Sequence, residues 1–284
     1  MIKAAIVVAG LALASAQGIR LMEHKVSGAT AGETFVDPAV AKLALAACAG
    51  DKKEVIDLVK SGASVNSFIT RDGGNDVSPL MWALSCENIE GFDILLQSGS
   101  DPNLAVGRFD LTPTFVAAGY HDPAFLHLAL KHGGDPNART SDGDYALRAA
   151  FWLGHNDGKW ENYYALINAG ADINRPSKPN GTGIAGFAAT VGNIDKVAEL
   201  LNRGYNFNLE ALAFTIYDNG LASILSDGSK PGISDPQYKY LGVVARMLKE
   251  RGVDTEDIKR RVDEKNKNIG AGIVQDYSFE QKSH

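Results

Sequence analysis

Short apolar stretches recur along the chain, and each is closed by the same polar ending. In the plainest copy, Ser85–Asn103, the run SCENIEGFDILLQSGSDPN ends an apolar stretch in Leu95-Leu96, turns at Gly99 and closes on Asp101-Pro102-Asn103. The same ending returns as Gly62-Ala63-Ser64-Val65-Asn66, Gly133-Gly134-Asp135-Pro136-Asn137, Gly170-Ala171-Asp172-Ile173-Asn174 and Gly204-Tyr205-Asn206-Phe207-Asn208. The closing asparagines are spaced 37, 34, 37 and 34 residues apart. A period near 33 predicts stacked pairs of helices, because one pair cannot bury its apolar face alone.

The elements follow from this frame. Asp37-Pro38 supplies an N-cap and a first-turn proline. Leu43, Leu45, Ala46 and Ala47 form the apolar face of the helix that follows. Gly50 turns the chain, Val55, Ile56, Leu58 and Val59 face the second helix inward, and Gly62 suits the left-handed position that ends it. Ser78-Pro79 and Thr112-Pro113 open helices in the same way. Ala149-Ala150 and Ala188-Ala189 allow adjacent helices to approach closely. These signals predict five repeats over 37–208, after a flexible lead-in at 17–36. A sixth, degenerate unit spans 209–253, with helices at Leu209–Tyr217 and Tyr238–Arg251 around the polar loop Ser226–Pro236. Its Arg246, Lys249, Glu250 and Arg251 give the polar outer side of a capping repeat. Residues 254–284 read as a polar C-terminal tail whose helix continues to Arg261 and whose end, from Lys265, is mobile.

Composition changes the picture in two places. A net charge of -6 argues against a nucleic-acid partner, which needs a basic face. At the start, Lys3, the apolar stretch Ala4–Ala14 and the Ala14-Ser15-Ala16 triplet read as a secretory signal peptide over residues 1–16. That stretch is too short to span a bilayer, so no membrane span is expected in the mature chain, and the expected location is the periplasm. Export leaves two readings open for the cysteines, Cys48 and Cys86: a disulfide, or two packed thiols. Their positions in neighbouring repeats differ by one, which strains bridging distance.

The pattern T-P-L-H-x-A-A-x-x-G, then helix, then L-L-x-x-G-A-D-x-N, is that of ankyrin repeats. The chain resembles it through Ser78-Pro79-Leu80-Met81-Trp82-Ala83, Thr112-Pro113-Thr114-Phe115-Val116-Ala117-Ala118, Gly154-His155 and the Gly…Asn endings. The resemblance implies an all-α ankyrin-repeat solenoid of about six helix-pair units with long finger loops. The departures are long links at Ser67–Val77 and Arg175–Gly181, and a four-residue insertion, Asn156-Asp157-Gly158-Lys159, between the helices of repeat four.

Motifs of catalysis are not found: G-x-S-x-G, H-E-x-x-H and the phosphate loop are all missing, so enzymatic activity and cofactors are not expected. His121, His127 and His132 fall on a turn, mid-helix and a helix end, so they are not expected to converge on a metal. The resemblance implies instead a concave protein-binding side built from finger tips and the positions after the Ala pair. Those are Phe68, Arg71, Asp72, Arg108, Phe109, Arg139, Asp142 and Arg175 on the fingers, with Ser85, Tyr120, Trp152 and Thr190 on the helices. Aromatic and Arg side chains are enriched at interface hot spots. For Trp152 and Tyr120 the other reading is that the rings shield the irregular insertions. Trp82 and Trp160 are assigned to packing. A leader before ankyrin repeats resembles exported bacterial ankyrin proteins. That likeness implies an immunity protein that occludes a lipase or cell-wall hydrolase toxin, or else an envelope scaffold or stress-defence protein.

Overall fold

The recurring phrase folds as a helix, a tight turn and a second helix. The computed structural model describes it over residues 25–26, 28–68, 77–176, 183–218 and 236–270. Two compact units divide the chain, one ending at Ala171 and one starting at Asp172.

The first unit opens with two short antiparallel strands, β1 (Lys25–Val26) and β2 (Ala29–Thr30), and a single-turn helix, α1 (Ala31–Thr34). Four helix pairs follow: α2 (Pro38–Ala49) with α3 (Lys52–Lys60), α4 (Pro79–Ser85) with α5 (Ile89–Gln97), α6 (Pro113–Ala118) with α7 (Pro123–Lys131), and α8 (Ala146–Asp157) with α9 (Glu161–Asn168). Each pair packs on the next, first helix on first helix and second on second. The predicted caps are made. The side chains of Asp37, Ser78 and Thr112 accept the backbone N–H of Ala39, Met81 and Phe115 at 2.8, 3.3 and 3.1 Å. Leu95 and Leu96 are buried as the pattern requires, and Trp82 occupies the core position assigned to it.

The repeated ending joins neighbours. Its glycines at 62, 99, 133, 170 and 204 all have left-handed φ, between 88° and 102°. The closing asparagine then reaches forward into the next repeat. Asn103 Nδ2 donates to the Gly133 carbonyl at 2.8 Å, and its Oδ1 accepts the Asp135 N–H at 2.7 Å. Asn66 makes the same pair with Gly99 and Asp101 at 3.1 and 2.8 Å. Asn103→Ala removes two bonds between repeats and is expected to lower the unfolding free energy by about 1 kcal/mol. Urea denaturation measures it, and an unchanged midpoint would show that the ladder adds nothing to stability.

Repeats one and two are joined most tightly. Cys48 and Cys86 form a disulfide with Cα atoms 5.5 Å apart, which resolves the alternative the sequence left open. Cys48 lies in the last turn of α2, and Cys86 is the C-cap of α4. Asn88, the N-cap of α5, donates to the Cys48 carbonyl at 2.9 Å. Gly91 in the first turn of α5 has no room for a side chain, since a Cβ there would lie 1.8 Å from the Ala47 carbonyl oxygen.

Three expectations change. The part of the lead-in at residues 25–36 that is described is built into the fold: Thr30 and Glu33 form a capping box, and Ala31 and Phe35 are buried beside Trp82. Phe35 is the apolar anchor that ties this segment down. The insertion in repeat four lies only partly between the helices: Asn156 and Asp157 extend α8, and the left-handed cap Gly158 and Lys159 follow it before α9. The tail, finally, is helical well beyond Arg261, as the second unit shows.

That unit contains α10 (Gly183–Thr190), α11 (Ile194–Asn202), α12 (Leu209–Ile216), α13 (Pro236–Glu250) and α14 (Thr255–Gly270). Here α13 packs on α11, and α14 lies against α12. Ile258 and Val262 of α14 are buried. Lys265, expected to be mobile, pairs with Asp218 and lies 5.4 Å from the Phe214 ring. Thus α14 covers the α12 face that a further repeat would occupy, which is the closure a terminal repeat needs. The predicted leader 1–16 and the polar loop Ser226–Pro236, up to residue 235, lie outside the described residues. Among the described residues no helix is long and apolar enough to cross a membrane.

Candidate protein-binding face

Two finger hairpins of the first unit are held by their own backbone. In the first, Val106 and Leu111 exchange hydrogen bonds of 2.9 and 3.0 Å. Its tip, Gly107-Arg108-Phe109-Asp110, turns through left-handed residues at both ends, with φ of 72° at Gly107 and 52° at Asp110. The Arg108 guanidinium stacks over the Phe109 ring at 4.5 Å. In the second finger, Arg139 bridges to Tyr145. The Thr140 hydroxyl donates to the Asp142 carboxylate at 2.5 Å and accepts the Asp144 N–H at 2.9 Å. The bond from Thr140 holds the exposed Asp142 carboxyl below its ordinary range. Arg139 donates to the Gly143 carbonyl at 3.4 Å and lies 5.9 Å from the Tyr145 ring.

Ser141 fastens the fingers to each other. Its N–H donates to the Phe109 carbonyl at 2.9 Å, and its hydroxyl donates to the Arg108 carbonyl at 3.0 Å. The sequence reading passed over this serine, although a repeat of 33 places it level with Arg108.

The second finger runs directly into α8. The Asp144 carboxylate accepts the Tyr145 N–H and both Nε and Nη2 of Arg148, the last two at 2.6 and 2.5 Å. Such a forked pair fixes the guanidinium plane as well as its position. Trp152 follows one turn later on the same face. It is 49% exposed, and its indole lies 5.5 Å from the His155 ring. The extra turn of α8 carries Lys159 to within 3.5 Å of the His121 carbonyl, back over repeat three.

The face therefore differs from the expected one at several places. Tyr120 is buried. Its hydroxyl donates to the Glu87 carboxylate at 2.9 Å, and burial followed by that bond pushes its pKa well above the ordinary phenol range. The error is one of register. Counted from the N-caps Ser78, Thr112 and Tyr145, the residue level with Trp152 in repeat three is Gly119, not Tyr120, and in repeat two it is Ser85. Ser85 is half-buried, its hydroxyl tied to the Trp82 carbonyl at 2.6 Å. Phe68 is 47% exposed at the start of its finger, whereas Arg71 and Asp72 lie outside the described residues. Arg175 and Thr190 are exposed but belong to the second unit, and the Thr190 hydroxyl donates back to the Gly186 carbonyl at 2.8 Å. Trp160 packs as expected, edge-on to Phe151 and Tyr163, and fills the space over Gly154. His132 comes within 3.6 Å of Asp93 across repeats two and three. No group of residues able to hold a metal occurs among the described residues.

No protein-family profile matches the chain. A curated relative, the human ankyrin repeat and SOCS box protein 16, is 29% identical over 161 residues, which is 55% of this chain and 34% of that protein. The chain thus spans about a third of that relative's length. Sequence likeness and stacked helix pairs agree, and the architecture is that of an ankyrin-repeat array.

Proposed function

We propose that this chain is a binding protein whose target is another protein, held on the paired fingers and the exposed stripe of α8. The observation that carries the reading is the double bond pattern of Ser141, which presents Arg108, Phe109 and Asp142 on one rigid platform. A platform fixed before binding loses little entropy when a partner arrives. We further propose that the chain is exported and occludes the active-site cleft of a toxin of lipase or cell-wall hydrolase type. The leader-like residues 1–16 and the Cys48–Cys86 disulfide support export, since such bonds persist in oxidising compartments.

The test is a pull-down from envelope extract with residues 17–284, read by mass spectrometry. One stoichiometric partner of hydrolase type is expected. Trp152→Ala and Arg108→Glu are each expected to weaken it at least tenfold, about 1.4 kcal/mol. Undiminished affinity in both variants would remove this face, and a scatter of weak partners would replace the inhibitor with a scaffold.

A further inference from the structure

Gly119 is a glycine that the fold does not need. A glycine after a helix ordinarily supplies a left-handed residue, as Gly50 and Gly158 do here. Gly119 follows α6 with φ -92° and ψ 5°, a conformation open to any L-residue. Nor does crowding exclude a side chain. A Cβ at Gly119 would meet the Ala149 Cβ at 3.5 Å, an ordinary contact, and the residue is exposed. Gly91, by contrast, has a carbonyl where its side chain would go.

What the missing side chain does is leave a gap in the binding face. At this level the three neighbouring repeats present Ser85, whose hydroxyl is folded down onto its own helix, then nothing, then Trp152. Ala149, which a side chain at Gly119 would meet first, lies one turn before Trp152 on the same helix face. Trp152, 49% exposed, is thus the next large surface side chain along α8 from the Ala149 edge of the gap. The Trp152 indole lies against the His155 ring, with ring centroids 5.5 Å apart. At the other end of α6 stands Arg108. Among the described residues its guanidinium has no partner but the neighbouring ring of Phe109. Helix α6 has six residues and is about 9 Å long, so the base of the finger and the gap stand at its two ends, and one extended partner segment can run from Arg108 to the gap.

We propose that Gly119 forms a notch for an aromatic side chain of the protein partner, seated against Trp152, while a carboxylate of the same segment pairs with Arg108. This rests on the protein-binding reading above and adds the chemistry of what is bound. A ring against an indole gains both buried area and favourable ring geometry, and a carboxylate complements a guanidinium held flat by stacking.

Selection of short displayed peptides against the full chain tests the notch directly. Selected peptides are expected to carry an aromatic and an acidic residue a few positions apart. They are expected to bind Gly119→Leu and Arg108→Glu at least about tenfold more weakly than wild type. Thermal unfolding of both variants, and of Gly119→Ala, reports whether the fold is intact, and Gly119→Ala is expected to unfold no earlier than wild type. Peptides that bind Gly119→Leu as well as wild type overturn the notch, as does selection that yields none. If the partner from the envelope pull-down binds Gly119→Leu and wild type equally, the notch falls and the protein-binding reading stands. If neither peptides nor any protein bind, both fall.

Discussion

Replacing Trp82 by Ala is expected to lower the free energy of unfolding by about 3–5 kcal/mol, the range for loss of a buried Trp or Phe side chain. Trp82 is completely buried and stands at a junction, not in the middle of a repeat. Its ring lies 5.7 Å from Phe35, which follows α1, and its cluster takes in Val40, Ala41 and Ala44 of α2 together with Val106 of the first finger. A cavity here loosens the N-terminal closure, the first repeat and the base of the Arg108 finger together. The expected signature is a lower urea midpoint and early hydrogen exchange in residues 29–49. A loss under about 1 kcal/mol would mean that the site collapses and refills, and that the cluster is less rigid than its burial implies.

The second large effect concerns Cys48 and Cys86. The bond closes a loop with a sequence separation of 38, for which loop entropy gives about 4 kcal/mol. Cys48→Ser is expected to lower the unfolding midpoint about as much as treatment of the wild type with reductant, and the two are not expected to add. Two free thiols in unfolded, unreduced protein would refute the bond. A midpoint indifferent to reductant would show that Asn88 and the Gly91 contact already hold the joint.

Much of this architecture was written in plain residues. Capping side chains at Asp37, Ser78 and Thr112 announce their helices, and the Gly…Asn ending announces both the turn and the bridge to the next repeat. The failures have a common physical origin, in that they fall where a repeat lacks its usual marker. Tyr145 occupies an N-cap without offering a hydrogen bond, so repeat four had to be aligned on its alanines, and Ala149-Ala150-Phe151 allows two alignments. That ambiguity promoted Tyr120 and hid Gly119. The insertion was visible as four extra residues, but whether they loop out or wind up as helix depends on packing, since Trp160 seals Gly154 and the added turn leans on His121. The same holds for α14, whose composition is polar and whose two buried residues, Ile258 and Val262, matter only because α12 offers them a face.

The disulfide also changes what a break in the chain would mean. Residues 48–86 form a closed covalent ring that includes the long link with Arg71. A protease cutting after Arg71 would open the ring without dividing the molecule, and both ends would remain attached to their own helices. A cut after Arg203, outside any such ring, would release the second part of the chain from the first once packing failed. Repeats one and two thus share a fate under proteolysis that no other neighbouring pair among the described residues shares.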